Sequence, residues 1–300
     1  MNDPQRILLI RFSSIGDIVQ STCILKPLKR YWPKSTLVFL TLERFAPILE
    51  SHPSIDEIIC IPKTFGRSGL KDIGNSLQSL NFDVVFDLHR SLRSRIILSV
   101  MNGSQLFTIR KPRLNRQLLI QWHWNRFPED WTFRRLFTRP LEEAGVPVDH
   151  TDTPFLGMHT DEIDRAKTYL ASRGIGPAFL VCVPGAAWRQ KTLPVDSLVR
   201  ALKPLAGIPI VILGTRRDVI CYRLAERLPE ALNLAGKTNL RRSLAILAGA
   251  RRVVGSDTGL VHAAEALGVP VTMILGPTTR EMGGGTWSSA SWQIETDLWC

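Results

Sequence analysis

The run Val253 to Pro277 constrains the fold of this chain more than any other stretch. Arg252 to Gly255 reads as the end of a short buried strand. Ser256-Asp257-Thr258-Gly259 reads as a turn whose oxygens can cap a following helix. Leu260, Val261, Ala264 and Leu267 recur at helical spacing. Gly268 closes that helix, and Pro270 blocks its continuation. Val271 to Leu275 is an apolar, β-branched run that suits an interior parallel strand. The turn directs backbone N–H groups, at the positive end of a helix dipole, toward whatever lies above the sheet, and phosphate is the commonest occupant of such a place. An ordinary capped crossover without a ligand fits the turn equally well.

The same rhythm fills the rest of the chain. Arg6 to Phe12, Leu37 to Leu42, Ile55 to Ile61 and Val84 to Leu88 read as strands, with helices over Ile18 to Tyr31, Glu43 to Glu50 and Leu70 to Leu80. Pro140 to Thr160 is polar and weakly periodic and reads as a connection between domains. Beyond it come a helix over Glu162 to Ser172, strands over Phe179 to Val183, Pro209 to Leu213 and Leu232 to Ala235, and further helices between them. Strands alternating with helices predict α/β architecture: two doubly wound parallel sheets, residues 1–155 and 156–300.

Ligands of such sheets bind at the carboxyl ends of the strands. In the first half that edge carries Ser14, Gly16 and Asp17, and then Asp87, His89, Arg90 and Arg93. Asp17 suits either a helix cap or a general base that takes a proton from a hydroxyl. Arginine forks suit phosphates and carboxylates, although solvated loop charges explain single arginines as well. In the second half the edge carries Lys191, Asp218 and the turn of Asp257, Thr258, Gly259 and Leu260, with His262 one turn further on. Together these suit a nucleoside diphosphate: Lys191 and the turn on phosphate, Asp218 on ribose hydroxyls. Neither half carries the glycine fingerprint of dinucleotide folds or a P-loop.

Charge narrows the partners. The formal net charge is +11, and between Arg90 and Arg139 eleven Lys or Arg face only Glu129 and Asp130. Arg110 to Arg139 interleaves basic residues with Trp122, Trp124, Phe127, Trp131, Phe133 and Phe137. That mixture suits single-stranded nucleic acid or an interfacial helix on an anionic leaflet. With no nucleic-acid-binding signature present, a membrane surface or a phosphorylated glycolipid is the expected partner. Five scattered cysteines (23, 60, 182, 221 and 300) predict free thiols, with no disulfide framework and no zinc site. The start runs straight into a strand pattern and the apolar runs are too short to span a bilayer, so a cytoplasmic protein is expected, at most peripheral at the inner face of the inner membrane.

Two separated motifs coincide with a known family. Ser-Ser-Ile-Gly-Asp-Ile-Val (Ser13 to Val19) and Gly-Ser-Asp-Thr-Gly-Leu-Val-His-Ala-Ala (Gly255 to Ala264), with Pro184-Gly185-Ala186, Lys191, Gly214 and Asp218 between them, resemble the ADP-heptose:lipopolysaccharide heptosyltransferases of glycosyltransferase family 9. The resemblance implies a GT-B fold, two Rossmann-like domains facing across a cleft, with the acceptor on the first and the nucleotide sugar on the second. It implies an inverting, metal-independent transfer of a heptose or related sugar from an ADP-sugar to the lipopolysaccharide inner core, with no cofactor. The family's catalytic aspartate falls on Asp17, its phosphate-binding lysine on Lys191 and its ribose-binding acid on Asp218, an aspartate where glutamate is usual. Ala186 and Ala187 stand where some members carry threonines, and members usually continue past Cys300 into a helix that returns to the first domain. Those departures keep open a catalytically silent sugar-nucleotide-binding protein and a family 9 enzyme with another donor sugar. A nicotinamide-dependent oxidoreductase is disfavoured by the missing glycine fingerprint.

Overall fold

A computed structural model of the chain describes residues 3–64, 66–149, 151–205, 207–276 and 279–295; Pro277 and Cys300 lie outside the described residues. Two compact units emerge, Met1–Arg113 with Phe133–Gly157, and Leu114–Thr132 with Met158–Cys300.

In the first unit the chain runs through β1 (Arg6–Ile10), α1 (Ile15–Ser21), α2 (Leu25–Tyr31), β2 (Thr36–Leu42), β3 (Glu57–Ile61), α3 (Arg67–Gln78), β4 (Val84–Asp87), α4 (Leu92–Leu98) and β5 (Gln105–Thr108). The sheet order is β3-β2-β1-β4-β5, every pairing parallel. Ile7, Leu8, Leu9 and Ile10 of β1 are fully buried, as a central strand covered on both faces requires, which is why β1 reads as an unbroken apolar run. The sequence predicts one helix from Ile18 to Tyr31. The structure breaks it with a 3-10 turn at Thr22–Ile24, because the Pro27 ring has no N–H and crowds the carbonyl one turn earlier. There Ser21 Oγ and Thr22 Oγ1 donate to the carbonyls of Ile18 and Val19, at 2.7 Å each.

The helix α4, the strand β5 and the helix α6 (Arg135–Glu143) are absent from the sequence-based reading, and α5 (Arg113–Trp122) falls in Arg110 to Arg139, where an interfacial helix is one of two readings and carries no bounds. The supposed connection from Pro140 is not free chain. The helix α6 runs through Pro140 to Glu143, and Leu141, Val146 and Leu156 are buried. Arg30 donates to both carboxylate oxygens of Asp152 at 3.1 and 2.8 Å. Gly157 passes so close to Ser51 that a Cβ would fall 1.8 Å from its carbonyl oxygen. Prolines and charges masked these widely spaced anchors.

The second unit holds α7 (Thr160–Ala171), β6 (Leu180–Val183), α8 (Val195–Leu202), β7 (Ile210–Ile212), α9 (Val219–Arg227), β8 (Leu232–Asn233), α10 (Leu240–Ala248), β9 (Arg252–Ser256), α11 (Gly259–Ala266), β10 (Val271–Leu275) and β11 (Trp292–Glu295). Its sheet runs β11-β10-β9-β6-β7-β8, again parallel throughout. The predicted crossover β9-α11-β10 forms as read, with Gly268 at φ +82° ending the helix, a conformation that favours glycine.

Candidate functional site

Strand order locates the candidate sites. In the first sheet the connections reverse direction between β1 and β4, and in the second between β6 and β9. Such switch points open a crevice at the strand carboxyl ends, where ligands of doubly wound sheets bind.

At the first switch point, Asp17 lies in the opening turn of α1. Its Oδ2 accepts from the Ser14 backbone N–H at 3.0 Å and from Ser14 Oγ at 2.8 Å. The same oxygen pairs with Arg11 Nη2 at 2.7 Å, with a quarter of the Asp17 side chain exposed. Burial pushes this carboxyl up, but the Arg11 charge and the Ser14 and Arg11 hydrogen bonds outweigh it and hold Asp17 below its ordinary value. So Asp17 both caps a helix and stands ionised at the strand edge; the two sequence readings are compatible.

Arg11 itself was not among the residues read from sequence. It is buried, donates from Nη1 to the Leu88 carbonyl at 2.6 Å, and lies 5.6 Å from the Phe137 ring centre. It thereby ties the end of β1 to the end of β4. The buried Asp87 accepts from the backbone N–H groups of His89 and Arg90 at 3.0 and 2.8 Å and from Ser94 Oγ at 2.8 Å. His89 packs edge-on against Phe12. Burial first, then Arg11 and Lys111, push its imidazole down to about 4, so it is neutral at physiological pH. Lys111, also missed, donates to the His89 carbonyl at 2.7 Å. Arg90 is left-handed at φ +46° and spends one guanidinium nitrogen on the Ile109 carbonyl at 3.0 Å, whereas Arg93 stands exposed on α4. Gly16 follows Ile15 in the first turn of α1.

At the second switch point the expected side-chain cap of α11 does not form. Thr258 is the N-cap, extended at φ −136°, without a side-chain capping bond, and among the described residues its Oγ1 is buried without a partner. The Asp257 oxygens turn elsewhere: Oδ2 lies 2.5 Å from Lys191 Nζ and Oδ1 lies 2.9 Å from His262 Nε2. Burial opposes the charge on Asp257, but His262 and Lys191 more than compensate and hold it far below the ordinary carboxylate range. An ionised carboxylate only accepts, so His262 Nε2 carries the proton. The His262 ring stacks on Trp287, centroids 5.9 Å apart and planes 7° apart. Trp287 is fixed in turn by Glu265, whose Oε1 accepts from the N–H groups of Trp287 and Ser288 at 2.9 and 2.8 Å. The Thr258 carbonyl accepts from the N–H groups of Val261 and His262, and the preceding N–H groups, those of Thr258, Gly259 and Leu260, have no partner inside the helix.

Asp218 is the N-cap of α9 and packs against Gly185 and Gly214, which follow β6 and β7. Its Oδ2 accepts from Thr215 N–H and Oγ1 at 2.6 and 2.9 Å. Gly185 and Gly214 exist here to make room: a Cβ on either would come within 2.8 Å of Asp218 Cγ or 3.0 Å of its Oδ2. Among the described residues no cluster of three His, Cys, Asp or Glu is arranged to hold a metal, and no helix is long and apolar enough to cross a membrane.

The fold and the motifs have known counterparts. The chain is 27% identical to lipooligosaccharide heptosyltransferase 2 of Haemophilus ducreyi over 91% of its own length and 84% of that protein. It is 25% identical to lipopolysaccharide heptosyltransferase 1 of Pseudomonas aeruginosa, over 93% and 81%. Among solved structures, a family 9 glycosyl transferase from Veillonella parvula superposes with a TM-score of 0.81 at 18% identity, covering 97% of this chain and 86% of that one. Escherichia coli ADP-heptose lps heptosyltransferase II gives 0.76 at 19%, covering 97% and 90%. E. coli heptosyltransferase WaaC with ADP gives 0.65 at 22%, covering 97% and 90%. The two parallel-sheet units are those of the GT-B fold, as the resemblance implied. The model for glycosyltransferase family 9 (heptosyltransferase) matches residues 71–300, and the chain belongs to that family of transferases.

Proposed function

We propose that this chain is an inverting heptosyltransferase that moves a heptose, or a related sugar, from an ADP-sugar to the inner core of lipopolysaccharide, working at the cytoplasmic face of the inner membrane. The observation that carries the reading is Asp17: a carboxylate kept ionised by Arg11 and Ser14 at a switch point, with part of its surface open. The names of the relatives and the ADP in the WaaC structure support the choice of substrates.

In the reaction the acceptor hydroxyl loses its proton to Asp17 as its oxygen bonds to the anomeric carbon. The bond from that carbon to the diphosphate breaks on the opposite face, and ADP leaves with the electron pair. A carboxylate held below its ordinary value is a weak base toward a free hydroxyl. It suffices here because the hydroxyl grows acidic only as the new C–O bond forms. Ser14, Gly16, His89, Arg90 and Arg93 form the acceptor side. On the donor side Asp218 takes ribose hydroxyls. Asp257 and His262 hold Lys191 and the turn, and Lys191 with the N–H groups of Thr258, Gly259 and Leu260 stabilises the departing diphosphate. Each role is electrostatic, and no cofactor or metal is invoked.

The test is Asp17→Asn assayed by mass spectrometry of a deacylated inner-core acceptor. Turnover is expected to fall about 10²–10⁴-fold, with ADP-sugar affinity unchanged. Near-full transfer by the variant rejects Asp17 as base. ADP-sugar binding without turnover in the unmodified protein rejects the enzyme reading in favour of a binding protein.

A further inference from the structure

The helix α5 is unusual for a globular protein because none of its residues is buried. Leu114, Leu118 and Trp122 recur every fourth residue and form one stripe along it. Leu114 is 67% and Trp122 57% exposed, and Trp124, just past the helix, is 59% exposed. The aromatics singled out in the sequence thus divide: Phe137 is core, whereas Trp122 and Trp124 face solvent with ring centres 6.5 Å apart. Charge along the segment has one sign. From Arg110 to Pro128 there are five Lys or Arg and no acid. Arg113 and Arg116 are exposed on the helix. The segment is held at its far end, where Trp131 Nε1 donates to the Met282 carbonyl at 3.3 Å, and across its middle, where Asn115 donates to the Arg126 carbonyl at 2.9 Å.

We propose that α5 and the Trp122–Trp124 pair form a docking surface for an anionic phospholipid bilayer. Leu118, in the middle of the stripe, is half-buried, but the exposed apolar surface of Leu114, Trp122 and Trp124 costs hydration that a soluble partner of mixed charge would not match. A leaflet supplies an apolar layer for Leu114, Leu118 and Trp122, a headgroup zone suited to tryptophan, and negative charge for Arg113 and Arg116. The inference deepens the membrane-side part of the function proposed above, but it does not depend on sugar transfer.

The experiment is sedimentation of the full chain with vesicles of phosphatidylglycerol and phosphatidylethanolamine, and with phosphatidylcholine vesicles for comparison. The protein is expected to pellet with the anionic vesicles and to be released as salt rises. Leu114→Gln/Trp122→Gln/Trp124→Gln is expected to weaken binding about tenfold or more. Its thermal unfolding should match the parent because no buried group is altered. Arg113→Gln/Arg116→Gln, which leaves the apolar stripe intact, is expected to weaken binding to the anionic vesicles alone. Equal binding to both vesicle types overturns the proposal, as does full binding by the triple variant. Release of the protein by deacylated inner-core oligosaccharide would assign α5 to the soluble acceptor and also overturn it.

Discussion

Arg11 Nη2 and Asp17 Oδ2 lie 2.7 Å apart, and the guanidinium in that pair is buried while part of the carboxylate is not. The arrangement sets the pH behaviour expected of the transfer. Asp17 sits below its ordinary value, so its pair with Arg11 contributes stability at every pH above the unfolded carboxylate's range. That contribution is lost as pH falls through the lowered folded value. The acid limb of kcat/KM is expected to lie below the usual carboxylate titration. In Arg11→Gln burial acts unopposed by that charge, and the limb should move to higher pH, with Arg11→Lys restoring part of the shift. An unchanged limb in Arg11→Gln would mean that Arg11 does not govern Asp17.

A second prediction concerns the three-residue knot in the donor unit. Lys191→Ala removes a charged hydrogen-bond donor worth about 1.5–3 kcal/mol. ADP affinity, read by calorimetry, is expected to fall roughly ten- to a hundredfold, with the fold intact. Asp257→Ala strips both Lys191 and His262 of their shared partner, and loss of one member of a buried pair costs about 3–5 kcal/mol. The denaturation midpoint should drop accordingly. A variant as stable as the parent would show that Asp257 serves ligand binding alone.

Two glycines separate packing from binding. At Gly255 a Cβ would fall 2.5 Å from the Val183 carbonyl oxygen and 2.8 Å from Val261 Cγ2, so strand and helix must part. Gly255→Ala is expected to destabilise by roughly 1–3 kcal/mol, seen as a lower melting temperature. At Gly185 the obstructing atoms belong to the Asp218 side chain, which can rotate away. Gly185→Ala should therefore melt near the parent yet bind ADP about tenfold more weakly, the equivalent of one hydrogen bond. Equal affinity would remove Asp218 from the nucleotide's contacts.

What the sequence made legible was whatever a local pattern could encode. The crossover β9-α11-β10 and the turn before α1 depend on neighbours a few residues apart, and both were readable as elements, although α1 begins at Ile15 with Ser14 as its N-cap, three residues before the helix read from Ile18. The direction of a side chain at those turns was not readable. Asp257 reads as a cap, but it turns to Lys191, 66 residues away. Arg11 reads as the end of an apolar run, and its importance comes from Leu88 and Asp17. A charge directly after four buried apolar residues was the one available hint. The strand β11 escaped notice because its alternation is short and mostly exposed. The charge cluster between Arg90 and Arg139 reads as one patch, yet Arg116 and Arg126 belong to the second unit and the remaining nine to the first.

That last division has a practical side. The polypeptide leaves the first unit after Arg113, returns at Phe133 and departs for good after Gly157. Three covalent tethers join the halves, so one proteolytic nick between Gly157 and Met158 leaves the remaining two unbroken. A gene fragment ending at Gly157 would carry the 114–132 excursion without the strands and loops it belongs to, and one starting at Met158 would lack it. Dissecting this enzyme into separately expressed halves therefore calls for grafting that short insert onto the later half, not for a single cut.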